Sequence, residues 1–570
     1  PFTHLFLDDY IQRAMLRGSY PGMSRPLWDL FRFTSTEPAL REAQVEHLLP
    51  WFGDPELRLA FFRPLSSALV AFDVALFGQD ARAQLLHGGL WYVALCVLAA
   101  RWYQRHWPGL AGGVAGCAFA LTASHQQAVT WFSARNALVA ATFSLLALSE
   151  HERFREGEGA RHRWLSIGFL ALALAGGEGG LGGMALLAAY ELSRPALYPS
   201  APAALLARCA AALRQLMPVL VLAFLYLALH AALGYGAHAS GAYLDPLSDP
   251  LGYLAGLPQR LLAALGVLVL TVPGEIWTFV PELRAALSVS GVLALLLAAL
   301  WFRAHHALLS RRQQVALRYA ALATLGSLLP QLAGSLGARS FVLPSLGACA
   351  LLGLCAQRLH ESWLSGPRSL AAVVRALPVL VLLGLHLVGG PLQWWRSGRL
   401  IAGVQQASLD RLAQLELDDA TVASDTVLLL SAPDAIVGVY GPFLRAAAAE
   451  PLAAHWRILS LARRDHQVRR LSDHSFELTV LNGDILDSGF AELFRHSTRR
   501  FQLGAEVARD GLSAQVVELS ERGQPTRIQF TTAQHLDDPQ LRLYAWHEGR
   551  MRRLQLRPSE ERKLSWVAPF

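Results

Sequence analysis

Apolar runs of near membrane-crossing length dominate this chain, and they constrain its fold more than any other feature. They fall at 83–101, 109–124, 134–149, 164–176, 180–192, 216–233, 258–272, 288–303, 315–335, 341–357 and 373–391. A bilayer core is crossed by about 20 apolar residues in a helix, because every backbone N–H and C=O must be satisfied within the segment. Repeated runs of that kind predict an α-helical polytopic membrane protein of about 10–12 transmembrane helices. The segments around 176–180 and 258–287 are short or interrupted, and read as broken or re-entrant. The second reads equally as a span followed by an interfacial helix.

Composition agrees. Residues of apolar type make up 53% of the chain and charged residues only 16%, against about 25% charged in soluble domains. The net charge is +7, but no basic tract is interleaved with aromatics, so nucleic acid is excluded as a partner. Cys96, Cys117, Cys209, Cys349 and Cys355 all lie in or beside apolar segments. They form no disulfide framework, and no cluster has the spacing of metal ligands. A divalent metal is compatible with the chain, but its sequence does not call for one, and no other cofactor is required.

Arginine asymmetry sets the orientation. "RWYQRHW" (101–107), "HERFREGEGARHR" (151–163) and "RAHHALLSRR" (303–312) are short arginine-rich loops, which marks them as cytoplasmic. Residues 1–81, the turn near His125, the region of Glu178, the 234–257 loop, the turn at Arg339 and the C-terminal part then lie outside. Four segments follow: an external loop with interfacial helices over 1–81, a transmembrane domain over 82–392, an amphipathic linker helix over 393–423, and a soluble extracytoplasmic domain over 424–570. Strand-like runs such as "TVLLLS", "FELTVLNGD" and "AQVVELS" make that last domain α/β or β-rich. Trp394 and Trp395 read as an interfacial anchor. The apolar "FL" before Asp8 reads as the outer end of a first transmembrane helix missing from this numbering. No internal repeat of the kind many transporters carry is evident.

On this topology the ionisable residues near spans gather on one side: Asp8, Asp9, Arg63, His125, Arg135, Glu178 and Arg339, with Gln127 among them. Such groups are costly at membrane depth and default to functional hypotheses. Arginine forks suit a phosphate or diphosphate. A carboxylate suits removal of a proton from a hydroxyl. Bland alternatives stand beside these. Asp8 and Asp9 suit a helix N-terminus, Arg63 can snorkel, His125 can cap or lie on the surface, and "GGEGGLGG" can permit a helix break. Asp73 reads as solvated on the polar side of its helix.

Five stretches in fixed order carry a family resemblance: "FLDDY", "FFRPLSSALVAFDVALFG", "QQAVTWFSARNALVA", "GGEGG" and "ARSFVLPSLGACALLG". Over roughly residues 5–395 the chain resembles the C-type (GT-C fold) integral-membrane glycosyltransferases, and within them the protein O-mannosyltransferase-like and tetratricopeptide-associated branch. The family places an acidic pair after its first transmembrane helix, an "RPL" helix on the membrane surface, a W-x-x-x-R segment, a "KE" dipeptide between spans and a late ER-x-x-Y-L-P-S segment. By that resemblance Asp8, Asp9 and Glu178 are the catalytic acids. Arg63, Arg135 and Arg339 contact the donor phosphate, and His125 and Gln127 are candidates for substrate contact. The implied reaction moves a sugar from a polyprenyl-phosphate lipid to an acceptor hydroxyl on protein, lipid or glycan, outside the cytoplasmic (inner) membrane and hence, in a two-membrane cell, in the periplasm.

Four positions depart from the family pattern. "KE" is Gly177-Glu178, the H-x-x-N-x-x-x-H span keeps only His87 of its histidines, a common glutamate before "AV" is Gln127, and "ER" is Ala338-Arg339. These departures sustain a second expectation: a catalytically silent membrane scaffold that presents its C-terminal domain to a partner.

Overall fold

The computed structural model describes residues 5–193, 203–365, 369–558 and 560–569. Contacts divide the chain into two compact units. One, here the helical unit, holds Phe61–Gly234 and Asp245–Gly398. The other, the strand-rich unit, holds His4–Ala60, Tyr235–Leu244 and Arg399–Phe570. Residues 4–60 thus group with the C-terminal part, whereas composition alone joins them to the interfacial "RPL" helix.

Among the described residues of the chain, six helical segments are long and apolar enough to cross a membrane. Further spans expected from sequence fold as helices that are shorter or less apolar, such as Ala160–Gly176, Leu181–Ser193 and Arg311–Gln331. The architecture is that of a polytopic helical membrane protein carrying a strand-rich C-terminal part. In the helical unit 72% of the apolar stretch in Phe132–Glu156 is buried, against 17% in Pro281–Leu308. The first is therefore the centre of the bundle, and the second turns its leucines outward, as a lipid-facing helix does. The central helix Asn136–Glu156 packs along Ala160–Gly176, Ala81–His106 and Leu181–Ser193. Its core partners include Trp102, Tyr103, Phe119, Leu170, Leu187 and Tyr319.

Small residues set the close crossings, as van der Waals packing between membrane helices requires. A Cβ at Gly291 would lie 1.7 Å from the Leu262 carbonyl oxygen, so only glycine lets Arg284–His305 lie against Pro250–Leu270. The 258–287 region is thus the second half of the helix Pro250–Leu270, the short turns Ile276–Phe279 and Pro281–Leu283, and the start of Arg284–His305. Beyond Leu370–Gly384 a π-turn over Leu385–Gly389 leads into the helix Gly390–Ala413. The amphipathic stretch is the continuation of that helix. The Trp394 indole N–H donates to the Thr122 carbonyl at 2.8 Å, while Trp395 stays 54% exposed.

The strand-rich unit contains three sheets. β1 (Arg58–Ala60) and β2 (Gly236–His238) form an antiparallel pair. The second sheet is ordered β11 (Arg550–Leu554), β10 (Leu541–His547), β3 (Thr426–Ser431), β4 (His455–Ile458), with β10, β3 and β4 parallel. The third, antiparallel throughout, runs β12 (Glu561–Leu564), β5 (His466–Arg470), β6 (Ser475–Val480), β9 (Pro525–Thr532), β8 (Leu512–Leu519), β7 (Glu506–Arg509). Sequence separates the two larger sheets. "TVLLLS" in β3 is an unbroken apolar run buried almost throughout, as a central parallel strand must be. "LSAQVVEL" in β8 begins by alternating, the mark of a strand with one solvated face. Residues 51–54 thread into this core. The Trp51 indole donates to the Leu459 carbonyl at 2.8 Å, and its ring meets Phe530 edge-on at 5.6 Å. Arg495 Nε donates to the Phe52 carbonyl at 2.8 Å.

Candidate functional site

In the helical unit the predicted residues lie on short segments where helices stop. The "GGEGG" stretch ends the helix Ala160–Gly176, turns through Glu178–Gly180 and starts Leu181–Ser193. The turn is this tight because a Cβ at Gly180 would come 2.6 Å from the Ala173 backbone. Opposite it begins the Pro64–Phe77 helix, with Pro64 at its first position and Arg63 just before. The Ser66 hydroxyl donates to the Gly176 carbonyl at 2.6 Å and fixes that first turn against the break.

The outcome is an ion pair between residues 115 apart in sequence. Arg63 Nε donates to Glu178 Oε2 at 2.7 Å, with the side chains 15% and 27% exposed. The Arg63 guanidinium also lies over the Phe61 ring at 4.6 Å. Glu178 Oε1 is buried with no hydrogen-bond partner among the described residues. A half-buried carboxylate with one oxygen held by a cation and the other orphaned is poised to accept from a ligand hydroxyl.

A second group surrounds Arg339. Its guanidinium stacks over Trp131 at 5.0 Å, and its backbone N–H donates to Gln127 Oε1 at 3.3 Å. The Ala338 N–H donates to Glu275 Oε1 at 3.0 Å. Gln127 therefore shapes the turn that presents Arg339. The turns over 123–130, the Glu178 segment and the Arg339 segment adjoin one another or the helices Asn136–Glu156 and Arg311–Gln331. They form one end of the unit.

Two predicted residues are more deeply engaged. His125 is fully buried: its ring packs on Phe119 at 4.5 Å, Nε2 lies 2.7 Å from Ser345 Oγ, and Nδ1 lies 3.1 Å from the Tyr92 hydroxyl. His125 does take the N-cap position of the short helix Gln126–Thr130, but its side chain makes no capping hydrogen bond and lies in a packed interior, so the expected surface position is corrected. Arg135 is 3% exposed and bridges to Asp73 at 2.5 Å. Asp73 also accepts His87 Nδ1 at 2.6 Å, and His87 Nε2 accepts from the Trp91 indole at 3.2 Å. The expectation that Asp73 is solvated is corrected here. It is 2% exposed, because the Pro64–Phe77 helix turns it inward onto a guanidinium and an imidazole. The signal for this triad was the lone histidine in "LLHGGLWY", which shows an isolated polar residue in an apolar run but not its partner.

In the strand-rich unit the acidic pair divides its roles. The helix Asp8–Arg17 follows Leu7, whose φ of 44° lies in the left-handed region. That conformation strains a leucine, and such strain persists only where surroundings over-determine it. Asp9 is 4% exposed and turns back, its Oδ2 accepting from the Phe6 N–H at 2.9 Å. That is the helix-start role allowed from sequence. Asp8 is half-buried, and its Oδ1 accepts from the Tyr440 hydroxyl at 2.7 Å. Tyr440 ends a π-helical turn, Ile436–Tyr440, and is 5% exposed. Burial, and next the charge of Asp8, hold its hydroxyl well above the usual tyrosine range, so it stays a donor. Sequence reasoning missed Tyr440, which lies beyond the stretch the family resemblance covers. Among the described residues no three His, Cys, Asp or Glu side chains converge as a metal site would require.

No protein-family model matches the chain, and no curated protein matches it. Among solved structures it is similar to the crystal structure of ArnT from Cupriavidus metallidurans bound to undecaprenyl phosphate. The identity is 14%, over 79% of this chain and 82% of that one, with a TM-score of 0.36. At that TM-score the likeness carries no argument about fold or activity.

Proposed function

We propose that the chain is a GT-C-like membrane glycosyltransferase that transfers a sugar, mannose-like by the branch it resembles, from a polyprenyl-phosphate lipid to an acceptor hydroxyl on the outer side of the cytoplasmic membrane. The observation that carries this reading is the Arg63–Glu178 ion pair at 2.7 Å. Both residues were singled out from sequence as site residues, and they meet at a break between apolar helices. Arg63 and Arg339 are the guanidinium groups that suit the lipid phosphate, where they would stabilise charge developing on the leaving group. Glu178, through its orphaned Oε1, suits a sugar or acceptor hydroxyl. Asp8 is the base of the acidic pair, and Asp9 supports the start of its helix.

The chemistry follows without a metal step. The acceptor oxygen forms a bond to the anomeric carbon while the carbon–phosphate oxygen bond breaks. The acceptor proton passes to a carboxylate, and the lipid phosphate leaves as an anion beside arginine. Purified chain in nanodiscs, supplied with polyprenyl-phosphate sugars and candidate acceptors, provides the test. Asp8→Asn should lower turnover by about 10²- to 10⁴-fold, the range for removing a positioned general base. Unaltered turnover in both Asp8→Asn and Glu178→Gln would reject the reading.

One observation favours a silent scaffold instead. Arg135 is already paired with the buried Asp73, so one of the three expected phosphate ligands is committed inside the fold. That alternative predicts no transfer from any donor, together with a partner that co-purifies stoichiometrically.

A further inference from the structure

We propose that Tyr440 is a positioning residue for Asp8: its hydroxyl holds the Asp8 carboxylate ionised and fixes the orientation in which it takes the acceptor proton. The proposal rests on the glycosyl-transfer reading above and adds to it a role for the C-terminal part of the chain, which the family resemblance leaves unexplained.

Three observations carry it. The Tyr440 hydroxyl donates to Asp8 Oδ1 at 2.7 Å across 432 positions of sequence. A contact of such separation is fixed by the fold and is not incidental to neighbouring residues. Tyr440 ends a π-helical turn, a form seen mostly as single turns and frequently at functional sites. Leu7, directly before Asp8, holds a left-handed φ of 44°, the kind of local strain that clusters at active sites. The two acids are thereby told apart. Asp9 Oδ2 is committed to a backbone N–H. Asp8 is the more exposed of the pair, and a side-chain donor on Oδ1 orients it.

The physical consequence has a definite sign. A hydrogen bond donated to the ionised carboxylate favours that form and lowers the Asp8 pKa; removing it raises the pKa. The surroundings contain other charges, which remain in place on substitution. Asp9, Tyr10 and Arg13 share the helix. Tyr243 acts on Tyr440 from the 235–244 segment. Arg445 lies on Gly441–Ala447, the helix packed against Asp8–Arg17. Glu492 is on the helix whose Phe490 ring meets Tyr440 edge-on at 6.4 Å, and the Asp434–Arg411 pair precedes the π-helical turn.

Tyr440→Phe removes the donor and keeps the ring. The acid limb of the pH profile of kcat/KM for the acceptor should move up by about one to two pH units. Activity should return toward the parent value at alkaline pH, a recovery that a merely destabilised protein would not give. An infrared titration of the full chain supplies a second readout that needs no turnover. The carboxylate band that disappears in Asp8→Asn should titrate about one to two pH units higher in Tyr440→Phe. An unshifted profile and an unshifted band overturn the proposal. A shifted band in a chain that transfers no sugar leaves the Tyr440–Asp8 coupling standing and overturns the transferase reading alone.

Discussion

The two ends of the helical unit handle buried charge in opposite ways. At the end where helices break, the Arg63 and Glu178 side chains keep 15% and 27% exposure, and one Glu178 oxygen has no partner among the described residues. At the arginine-rich end, Glu152 is 0% and Glu191 1% exposed. Glu152 lies 3.0 Å from His106 and accepts from the Trp102 indole at 3.1 Å. Glu191 lies 2.8 Å from His151 and 2.7 Å from Arg155. His162 meets Glu150 at 2.5 Å. Burial of Glu152 and Glu191, the first against a histidine and an indole and the second against a histidine and an arginine, makes a clamp between the Ala81–His106, Asn136–Glu156 and Leu181–Ser193 helices. Glu152 Oε2 and Glu191 Oε2 also lack a hydrogen-bond partner among the described residues, so the orphaned oxygen is common to both ends, and it is the partial exposure of Arg63 and Glu178 that makes a site. What distinguishes them is not the number of charges but whether a ligand can reach them.

The clamp should therefore be the more sensitive end in stability. Glu191→Ala leaves the Arg155 and His151 side chains without their buried carboxylate, a loss of about 3–5 kcal/mol for a broken buried pair. Thermal unfolding of the purified chain should show it directly, and a cost under 1 kcal/mol would remove the distinction between the ends. A buried histidine hydrogen-bonded to a hydroxyl and not to a carboxylate makes the control, and the strand-rich unit has one. His466 is 1% exposed, bonds Ser460 Oγ at 2.8 Å, and is pushed down by burial to about 4. The unfolded chain binds that proton near pH 6.5, the folded chain only near 4. Stability from this group is thus complete above pH 6.5 and falls as pH drops, by about 3 kcal/mol at pH 4. The drop should vanish in His466→Gln, measured by denaturant unfolding at both pH values.

At the site end the expected effect falls on function. Arg63→Gln should reduce sugar transfer by about 100-fold, the scale of one lost electrostatic contact to developing charge. The melting temperature should shift by a few degrees at most, because the pair is partly exposed and such pairs contribute little to stability. A large loss of stability with unchanged transfer per folded molecule would make Arg63–Glu178 a second clamp and erase the comparison.

Both ends were partly legible in sequence. The apolar runs gave the helices, and the arginine-rich loops separated one end from the other, because length and apolarity are local properties. Arg63, Glu178, Arg339 and Gln127 were found as candidates, since polar residues at helix breaks stand out against apolar surroundings. Their pairings were not legible. Asp73 looked solvated on a helical wheel, and only the packing of its helix shows the guanidinium of Arg135 against it. Tyr440 was hidden for a related reason. A buried tyrosine in an apolar run looks like core, and its meaning comes from Asp8, which contact order places 432 residues away. The burial of Glu152 and Glu191 was masked by their position in charged loop-end sequence, where a solvated face is the ordinary outcome.

The smallest expected effect sharpens the comparison most finely. Arg105 and Glu156 pair at the same end as the clamp, one helical turn from Glu152, yet their side chains are 37% and 45% exposed. If burial, and not location, is what makes the clamp, Glu156→Gln should cost no more than about 0.5 kcal/mol. Its small effect should fade further in high salt, because exposed pairs are screened and buried ones are not. The double variant with Glu191→Ala should then be additive within about 0.5 kcal/mol. Coupling well above that would mean that the exposed and buried pairs form one network, and that the arginine-rich loops hold the helical unit together as a whole.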